Sequence, residues 1–345
     1  MKINDDIWSN GYLNILDCLT YTNRTEDANL ITHSGRHHAD DVMGTVIIAN
    51  FFYGKPLKLI RIPSLEKNHK YKGIPFDIGH GIYDHHQRGG NGKRKYGAQY
   101  SSAGLLWRDF GRGALENYPA LINANNAGFK VDIEHLWDVI DKELIQPIDR
   151  ADTGGYTIGF KENYNITKMV SCFRAKVQSK AASDAAYLEA VDYLNKIFAK
   201  YVESVLEKQI ALHEFKSLVY PDNEVNIDEF NRYQNLGEIL ILDKELPFQD
   251  LFDEDDKFDD IKFVITPSQR NGYNILLVYQ GKGVRIPRVM FPRNWCGLLK
   301  NELVLTTGIE TAEFCHYKGF KAGAKTLDGA IAIAKLAIEM SKKTY

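Results

Sequence analysis

Cysteine is scarce in this chain: its 345 residues include only Cys18, Cys172, Cys296 and Cys315. These four are scattered and form no CxxC pair, so the sequence predicts neither a disulfide framework nor a zinc knuckle, and a reducing compartment is expected. No apolar run is long enough to cross a bilayer, and the N-terminal segment lacks the features of a signal or transit peptide. We therefore expect a cytoplasmic protein that makes no membrane contact.

An excess of charge of either sign is also missing. The chain has 43 Lys and Arg against 45 Asp and Glu, a formal net charge of −2. No global positive field can attract nucleic acid, so a polyanion would have to bind through a local patch. The hydrophobic content of 44% and the charged content of 26% are ordinary globular values that allow a sizeable core. The chain length favours two domains.

Histidine, by contrast, is concentrated in one stretch. Seven of the ten histidines lie between residues 31 and 88, and carboxylates lie between or beside them at close spacing. Imidazole and carboxylate together suit divalent transition metals such as manganese, iron or zinc. A single histidine is usually a packed core residue, but two clusters that mix His with Asp are hard to explain by packing, because buried charge is costly unless it is paired or metal-bound. The sequence therefore predicts a metal site here.

The elements around these clusters follow an α/β pattern. Ile31 and Thr32 are expected to end a strand, and the apolar periodicity after Asp40 predicts a helix whose first turn favours carboxylates. Residues 56–62 predict a second strand. Residues 76–78 and 82–83 predict short strands around a glycine-containing turn. Ligands bind at the carboxyl ends of strands in open α/β sheets, so the Asp and His residues of both clusters are expected to lie at one sheet edge.

The second half of the chain has a different pattern. A long helix is predicted over residues 183–213 as the bridge between domains. The sequence places strands at residues 217–220, 239–242, 261–265 and 273–279, a hairpin turn at 269–272, a loop at 316–326 and a final helix at 327–342. We predict an α/β protein with a mainly parallel sheet in a catalytic domain at residues 1–205 and a smaller α/β substrate-binding domain at residues 206–345.

The residues of the clusters carry a family resemblance. Asp84-His85-His86 is the tripeptide after which the DHH phosphoesterase superfamily is named, and the chain more narrowly resembles the MYG (melanocyte proliferating gene) family of metal-dependent hydrolases. The matching motifs are Thr32-His33-x-Gly35-x-x-His38-x-Asp40, Asp84-His85-His86-Gln87-Arg88, Ser101-Ser102-Ala103-Gly104, Ile148-Asp149-x-x-Asp152, Arg288-x-x-x-Pro292-x-x-Trp295-x-Gly297-Leu298 and His316-x-x-Gly319-Phe320-x-x-Gly323-x-x-Thr326. The chain departs from the family's pattern at His37 and Asp41, where the family tends to have an aromatic residue and Glu.

The resemblance implies a DHH-type N-terminal domain that binds two divalent ions, with Mn²⁺ expected first and Mg²⁺, Fe²⁺ or Zn²⁺ as alternatives. One ion would be held by His33, His38 and Asp77, and the other by Asp40, Asp77, His85 and Asp152. His86 would contact the substrate phosphate or donate a proton, while Asp84 and Asp149 would orient the histidines. Candidate binders of the substrate phosphate are Arg88 in a glycine-rich loop with four cations, Ser102 at a helix start, and Arg288, His316 and Lys325.

The resemblance further implies 3′→5′ exonucleolytic cleavage of RNA or short oligonucleotides by a two-metal mechanism. One alternative keeps the phosphoesterase class and changes the substrate to pyrophosphate, a cyclic dinucleotide or a nucleoside bisphosphate. Another alternative is a metal-binding regulatory protein whose site does not turn over. The sequence leaves open the metal, the direction of cleavage and whether the chain forms a homodimer.

Overall fold

The computed structural model describes residues 5–8, 14–66, 69–95, 98–154, 165–219, 233–253, 256–281, 284 and 286–343. The chain divides into two compact units, Met1–Glu207 and Lys208–Tyr345. Each unit combines helices with a sheet, which confirms the predicted α/β class. Among the helices of the described residues, none is long and apolar enough to cross a membrane.

The first unit is built on a parallel sheet, as the sequence predicts. Its four strands run in the order β1-β3-β2-β4. Their bounds are Leu19–Tyr21 for β1, Leu30–His33 for β2, Leu57–Ile62 for β3 and Ile74–Pro75 for β4. Because all four strands are parallel, the chain leaves β2, β3 and β4 at the same edge of the sheet. Loops from this edge carry both histidine clusters.

Helices cover this sheet and supply the rest of the site. They are α1 (Ala39–Phe51), α2 (Ser102–Glu116), α3 (Pro119–Asn126), α4 (Ile133–Ile140), α5 (Gln146–Asp152) and α6 (Ile166–Val170). A π-helical turn over Asp141–Ile145 joins α4 to α5, so the chain is helical from Ile133 to Asp152. The helix predicted after Asp40 and the helix start predicted at Ser102 are both confirmed.

Helix α1 is the centre of the first unit. Every residue from Ala39 to Asn50 is buried, and Gly44 lets α2 approach closely, since an added Cβ would lie 2.8 Å from Leu106 Cδ1. The hydroxyl of Tyr187 donates to the Asp41 carbonyl over 2.9 Å. Packing on several sides therefore holds the first turn of α1, with its two aspartates, in one position.

The long helix α7 spans Lys180–Val219. It contains the helix predicted at 183–213 and continues beyond it, so the predicted strand at 217–220 is wrong for residues 217–219, while Tyr220 lies outside the described residues. The apolar side of α7 persists through Phe215, which packs with Leu240 and Phe252 of the second unit's core. Tertiary packing thus extends a helix into a segment with local strand character.

The second unit holds a mixed six-stranded sheet in the order β5-β6-β7-β8-β10-β9. The strands are β5 (Tyr233–Asn235), β6 (Ile239–Leu242), β7 (Phe263–Pro267), β8 (Tyr273–Leu277), β9 (Ala312–Cys315) and β10 (Lys321–Ala324). The predicted hairpin between β7 and β8 is confirmed, with Asn271 and Gly272 both at positive φ. The helices are α8 (Phe248–Phe252), α9 (Lys300–Thr307) and α10 (Leu327–Lys342), the last as predicted.

A second prediction in this unit, besides the strand at 217–219, is wrong. The segment predicted as a loop at 316–326 contains β10, which pairs with β8 on one side and β9 on the other. Its sequence, Lys-Ala-Gly-Ala, has low intrinsic strand propensity. Gly323 has no side chain, and a Cβ there would collide with the ring of Phe314. Packing therefore requires a small residue at this position, and small residues give little indication of a strand in the sequence.

Candidate metal centre

Nine carboxylate and imidazole side chains form three linked groups at the carboxyl edge of the first sheet. The groups are His33, Asp41 and Asp77; His38, Asp40 and Asp152; and Asp77, Asp84, His85 and His86. Asp77 belongs to two of them. All six metal ligands implied by the family resemblance lie in these groups, together with Asp41, Asp84 and His86.

The loop that carries Asp77 differs from the sequence prediction. Residues 76–78 and 82–83 are not strands. Asp77 adopts a positive φ of 54°, a left-handed conformation that ends extended pairing and is costly for most side chains. Its N–H donates to the carbonyl of Tyr83 over 3.0 Å, which closes the loop. The strained backbone aims the Asp77 carboxylate at the histidines rather than along a strand.

His33 at the end of β2 lies between two carboxylates. Its Nε2 atom is 3.2 Å from Asp41 Oδ2 and 3.2 Å from Asp77 Oδ2. Burial alone would lower the pKa of His33, but these two carboxylates outweigh burial and raise it to about 10. In the absence of another cation, this imidazole would thus carry a proton that compensates the buried negative charge.

His85 connects the other carboxylates. Its Nε2 lies 2.6 Å from Asp152 Oδ2, and its Nδ1 lies 3.5 Å from Asp77 Oδ1 and 3.9 Å from Asp40 Oδ2. Burial opposes the charged imidazole, yet the contact with Asp152 raises the pKa of His85 above its usual value. His38 is more exposed, with Nδ1 3.8 Å from Asp152 Oδ1. Asp152 at the end of α5 therefore faces two histidines.

Asp84 orients His86. Its Oδ1 accepts hydrogen bonds from His86 Nδ1 over 2.8 Å and from the His86 N–H over 3.1 Å, while its Oδ2 accepts from the His80 N–H over 2.6 Å. Burial would raise the pKa of Asp84, but these hydrogen bonds lower it below its ordinary value. Because an ionised carboxylate only accepts hydrogen bonds, the proton of the His86 ring resides on Nδ1. Its Nε2 is left for other partners, and the ring is half exposed.

Two adjacent serines at the start of α2 reach different aspartates. Ser102 Oγ donates to Asp77 Oδ1 over 2.9 Å and lies 3.3 Å from His85 Nδ1. Ser101 donates from both its N–H and its Oγ to Asp149 Oδ1, over 3.0 and 2.6 Å. Ser102 is fully buried, and the structure places it against a candidate ligand. Its predicted contact with substrate stays a prediction.

Asp149 anchors the scaffold beside the cluster. Besides Ser101, the Gly104 N–H and the guanidinium of Arg94 donate to its carboxylate. Arg94 also pairs with Asp141, with Nε–Oδ2 and Nη2–Oδ1 distances of 2.8 and 2.6 Å. One of the four cations in the predicted phosphate-clamping loop is therefore held inside the protein. Asp149 thus accepts hydrogen bonds from residues at the start of α2. Its predicted role in orienting a histidine stays a prediction.

Buried oxygen atoms without hydrogen-bond partners test whether the cluster suits a metal. Both carboxylate oxygens of Asp40, one of Asp41 and one of Asp77 accept no hydrogen bond from the described residues. Burial, followed by the charges of Asp77 and Asp152, raises the pKa of Asp40 well above its usual value. The Asp41 and Asp77 oxygens face only His33, at 3.2 Å. Buried carboxylates with so few partners are costly, and a divalent cation would neutralise them. The oxygen and imidazole donors present thus fit a divalent transition metal.

The predicted phosphate binders have varied surroundings. Arg88 is exposed in the turn that follows His86. Three others lie in the second unit. The guanidinium of Arg288 donates to the carbonyls of Phe258 and Ile261, the ring of His316 packs 4.0 Å from that of Phe320, centroid to centroid, and Lys325 Nζ lies 3.4 Å from Glu313. Substrate contacts of all four residues stay predictions.

Asp41 is the candidate ligand that the sequence reasoning left unassigned. It is fully buried, its Oδ2 faces His33, and its Oδ1 accepts a hydrogen bond from the His38 N–H over 2.9 Å. The local signal was its place beside Asp40 in the first turn of the predicted helix. Residues adjacent on a helix point in different directions, so Asp40 and Asp41 reach different histidines.

Comparisons with known proteins match most of the chain to one family. A family model named MYG1_exonuc, described as an uncharacterised protein family (UPF0160), matches residues 29–338. The chain is 28% identical over 338 residues to a MYG1 protein of Dictyostelium discoideum, covering 92% of this chain and 98% of that one. It is 26% identical over 336 residues to a MYG1 protein of Schizosaccharomyces pombe, covering 90% and 97%. A Homo sapiens protein named MYG1 exonuclease is 23% identical over 328 residues, covering 88% and 84%. No solved structure matches the chain.

Proposed function

We propose, from the premise that this chain belongs to the MYG1_exonuc family, that it is a divalent-metal-dependent phosphoesterase that shortens nucleic acid as an exonuclease. The observation that carries the proposal is the set of four buried carboxylate oxygens, from Asp40, Asp41 and Asp77, that lack hydrogen-bond partners among the described residues and lie beside histidines. The exonuclease name of several relatives supports the reaction class.

The side chains divide between two ions with Asp77 shared. His33, Asp41 and Asp77 would hold one ion, and Asp40, Asp77, His85 and Asp152 would hold the other. His38 is nearest to Asp40 and Asp152, so we assign it to the second group, whereas the family resemblance assigns it to the first. Mixed imidazole and carboxylate donors suit Mn²⁺, with Mg²⁺, Fe²⁺ and Zn²⁺ as alternatives.

Divalent cations in such a site make water a better nucleophile near neutral pH and neutralise charge on a phosphoryl group. The protein's own groups bind and orient. The Asp84 carboxylate holds His86 by Nδ1. Once the ring has taken up a second proton on Nε2, that nitrogen can donate to a phosphate oxygen or deliver its proton to the leaving oxygen, which leaves a neutral ring with its proton on Nδ1. Ser102 fixes the rotamer of Asp77 through its hydrogen bond. Exposed Arg88 supplies a cation for the substrate phosphate.

The finer parts of the proposal follow the family resemblance. We propose that the substrate is RNA or a short oligonucleotide, that cleavage proceeds 3′→5′, and that the first unit has the DHH type of fold. We also propose that the second unit binds substrate through residues such as His316 and Lys325. The four cysteines are free, which suits the reducing cytoplasmic compartment proposed for the protein.

Manganese-dependent hydrolysis of a short 5′-labelled RNA tests the proposal directly. Pyrophosphate and a cyclic dinucleotide serve as parallel substrates, with chelator and the Asp152→Ala variant as controls. Stepwise shortening of the labelled RNA that is lost in both controls is the expected result. Turnover of a small substrate alone would keep the metal-dependent phosphoesterase and overturn the nuclease assignment. Metal binding without any turnover would favour a regulatory metal-binding protein.

A further inference from the structure

A cavity of about 700 Å³ lies in the first unit next to the metal centre. One wall is the loop of residues 34–37 that follows β2, and a second is formed by Arg61 and Pro63 at the end of β3. The remaining wall is the segment of residues 174–184, which leads into α7. Ligand-binding cavities for small molecules have volumes of roughly 300–1,000 Å³, so the space suits a ligand of nucleotide size.

The cavity has an excess of positive charge that the protein does not use. Four cations line it, Arg36, Arg61, Arg174 and Lys180, against the single carboxylate of Asp184. Asp184 is already shared by Arg61, at 3.3 Å, and by Lys180, at 2.7 Å. The side chains of Arg36 and Arg174 are exposed and make no hydrogen bond or ion pair with any residue that the structure describes, although the Arg174 backbone N–H donates to the Cys172 carbonyl over 3.0 Å. Two guanidinium groups are thus available to an anionic ligand.

The floor of the cavity is rigid. Arg61 is fully buried, and its guanidinium donates to the carbonyls of His33 and Gly35 and to the carbonyl and hydroxyl of Ser183. It also packs on the ring of Tyr187, with Cζ 4.4 Å from the ring centroid. These contacts join the loop after β2 to the start of α7. A site built on such a framework loses little conformational entropy when a ligand binds.

Arg36 lies between the cavity and the metal centre. That residue also borders a smaller cavity of about 420 Å³ whose other walls include His33, His38, Asp77 and His86. The loop after β2 therefore has candidate metal ligands on one side and the larger cavity on the other. A phosphate held by Arg36 would lie at the junction between the two spaces.

Part of the wall is apolar. Pro63, Ala175 and Val177 line the cavity, and Val177 is 65% exposed. His37, also in the wall, is 5% exposed and its Nε2 has no hydrogen-bond partner among the described residues. Unpaired arginine side chains beside an apolar surface match a ligand with an anionic group and an apolar face.

We infer that this cavity, the arginine cavity, binds one phosphorylated nucleoside. Arg36 and Arg174 hold its phosphate, and its base packs against Pro63, Ala175 and Val177. Building on the proposed function, this nucleoside is the unit of the nucleic-acid substrate next to the phosphate that is cleaved. The cavity then sets how far the substrate strand extends beyond the metal centre.

Binding of adenosine 5′-monophosphate and uridine 5′-monophosphate to the whole chain, measured by calorimetry in the presence of chelator, tests this inference without any requirement for catalysis. Arg174→Ala removes an exposed cation of the cavity, and Val177→Glu places a negative charge in the wall at an exposed position. Arg108→Ala is the matched control, because Arg108 is an exposed cation of the same unit that pairs with its neighbour Asp109 and lies outside both cavities.

Wild type and Arg108→Ala should bind the nucleotides with equal affinity, and Arg174→Ala and Val177→Glu should each weaken binding about tenfold or more, as expected for a lost charge-assisted hydrogen bond. Equal affinity of wild type and Arg174→Ala would overturn the inference, as would displacement by inorganic phosphate at equal concentration. If wild type hydrolyses RNA but binds neither nucleotide, the inference about the arginine cavity would be wrong and the proposed function would still hold. If wild type binds the nucleotides and both variants lose that binding, but wild type does not hydrolyse RNA, the arginine cavity would be supported and the proposed function overturned.

Discussion

Arg61 Nε donates a hydrogen bond to the backbone carbonyl of His33 over 3.2 Å. The relationship joins β3 to the last residue of β2, whose side chain is a candidate metal ligand. The same guanidinium reaches Gly35 and Asp184. One buried cation thus determines the position of the loop that separates the metal centre from the arginine cavity.

Replacing Arg61 should destabilise the first unit and loosen its metal site together. Arg61→Met removes a fully buried partner of Asp184 and leaves several carbonyls unsatisfied, so we expect a loss of about 3–5 kcal/mol in the free energy of unfolding. Lys180→Ala is the control, since Lys180 is 56% exposed and a surface pair contributes less than about 1 kcal/mol. Denaturant unfolding measures the loss of stability in each of the two variants. Equal losses in the two variants would contradict the role assigned to Arg61.

Substitutions of the two serines at the start of α2 should have different effects, one mainly on metal affinity and the other mainly on stability. Ser102→Ala removes the hydrogen bond to Asp77, and loss of such an orienting contact typically costs about 10–100-fold in metal affinity. Ser101→Ala instead removes a hydrogen bond to buried Asp149, so its main effect should be a stability loss of about 1–3 kcal/mol. Metal titration and thermal unfolding of both variants check the pair. A larger loss of metal affinity in Ser101→Ala would refute this division.

Metal should stabilise the folded protein. The buried oxygens of Asp40, Asp41 and Asp77 accept no hydrogen bond from the described residues, so a bound cation would give them a partner. A ligand that binds only the folded state adds about 2.7 kcal/mol at 100 times its dissociation constant. Thermal unfolding with Mn²⁺ and with chelator measures this effect. An unfolding midpoint that Mn²⁺ leaves unchanged would show that the cluster does not hold the ion.

Arg88→Ala should weaken substrate binding with little change in the fold. Arg88 is exposed, so its removal leaves the core intact, while loss of one charge-assisted hydrogen bond to phosphate corresponds to about 1.5–3 kcal/mol. We expect KM for RNA to rise at least about tenfold with a smaller change in kcat. Arg108→Ala again serves as the exposed control. Unchanged kinetics would reassign Arg88 to the solvated surface.

Local sequence patterns were sufficient for the elements with strong periodicity. The strands at β2 and β3 and the helices at α1 and α10 follow directly from apolar spacing and flanking turn residues. The strand wrongly predicted at residues 76–78 fails because Asp77 needs a positive φ, which the surrounding apolar residues do not reveal. The strand predicted at residues 217–219 is helical because Phe215 packs into the core of the second unit, a long-range contact.

The candidate site, too, is predictable from the sequence in part, and the rest depends on long-range contacts. Residue types and spacing predicted a metal site, the family resemblance implied His33, His38, Asp40, Asp77, His85 and Asp152 as its ligands, and all six lie in the three groups of the structure. What spacing does not supply is which aspartate faces which histidine. Asp41 reaches His33 because of the rotation along α1, and Arg94 is drawn from its loop by Asp141 and Asp149, 47 and 55 residues away in the sequence. Such partners depend on the fold.

Asp77 offers the sharpest test of the shared-ligand arrangement. Its carboxylate lies 3.2 Å from His33 Nε2 and 3.5 Å from His85 Nδ1, so a single change should affect both ion positions. Asp77→Asn is preferable to Ala, because Asn tolerates the left-handed backbone that this residue requires and keeps the shape of the side chain. We expect loss of both bound ions and a loss of hydrolysis of about a hundredfold or more, because the metal activates the attacking water in such sites.

The control for Asp77→Asn is Asp138→Asn, which removes a carboxylate of the same unit that is 53% exposed and pairs with Lys142. Metal content by mass spectrometry under native conditions and hydrolysis rates distinguish the possibilities. If Asp77→Asn loses one ion and retains the other, then Asp77 belongs to one position alone, and Asp40 or Asp152 must complete the second. If it keeps both ions and full activity, the buried Asp77 carboxylate serves the fold through Ser102, and the two-ion assignment is wrong.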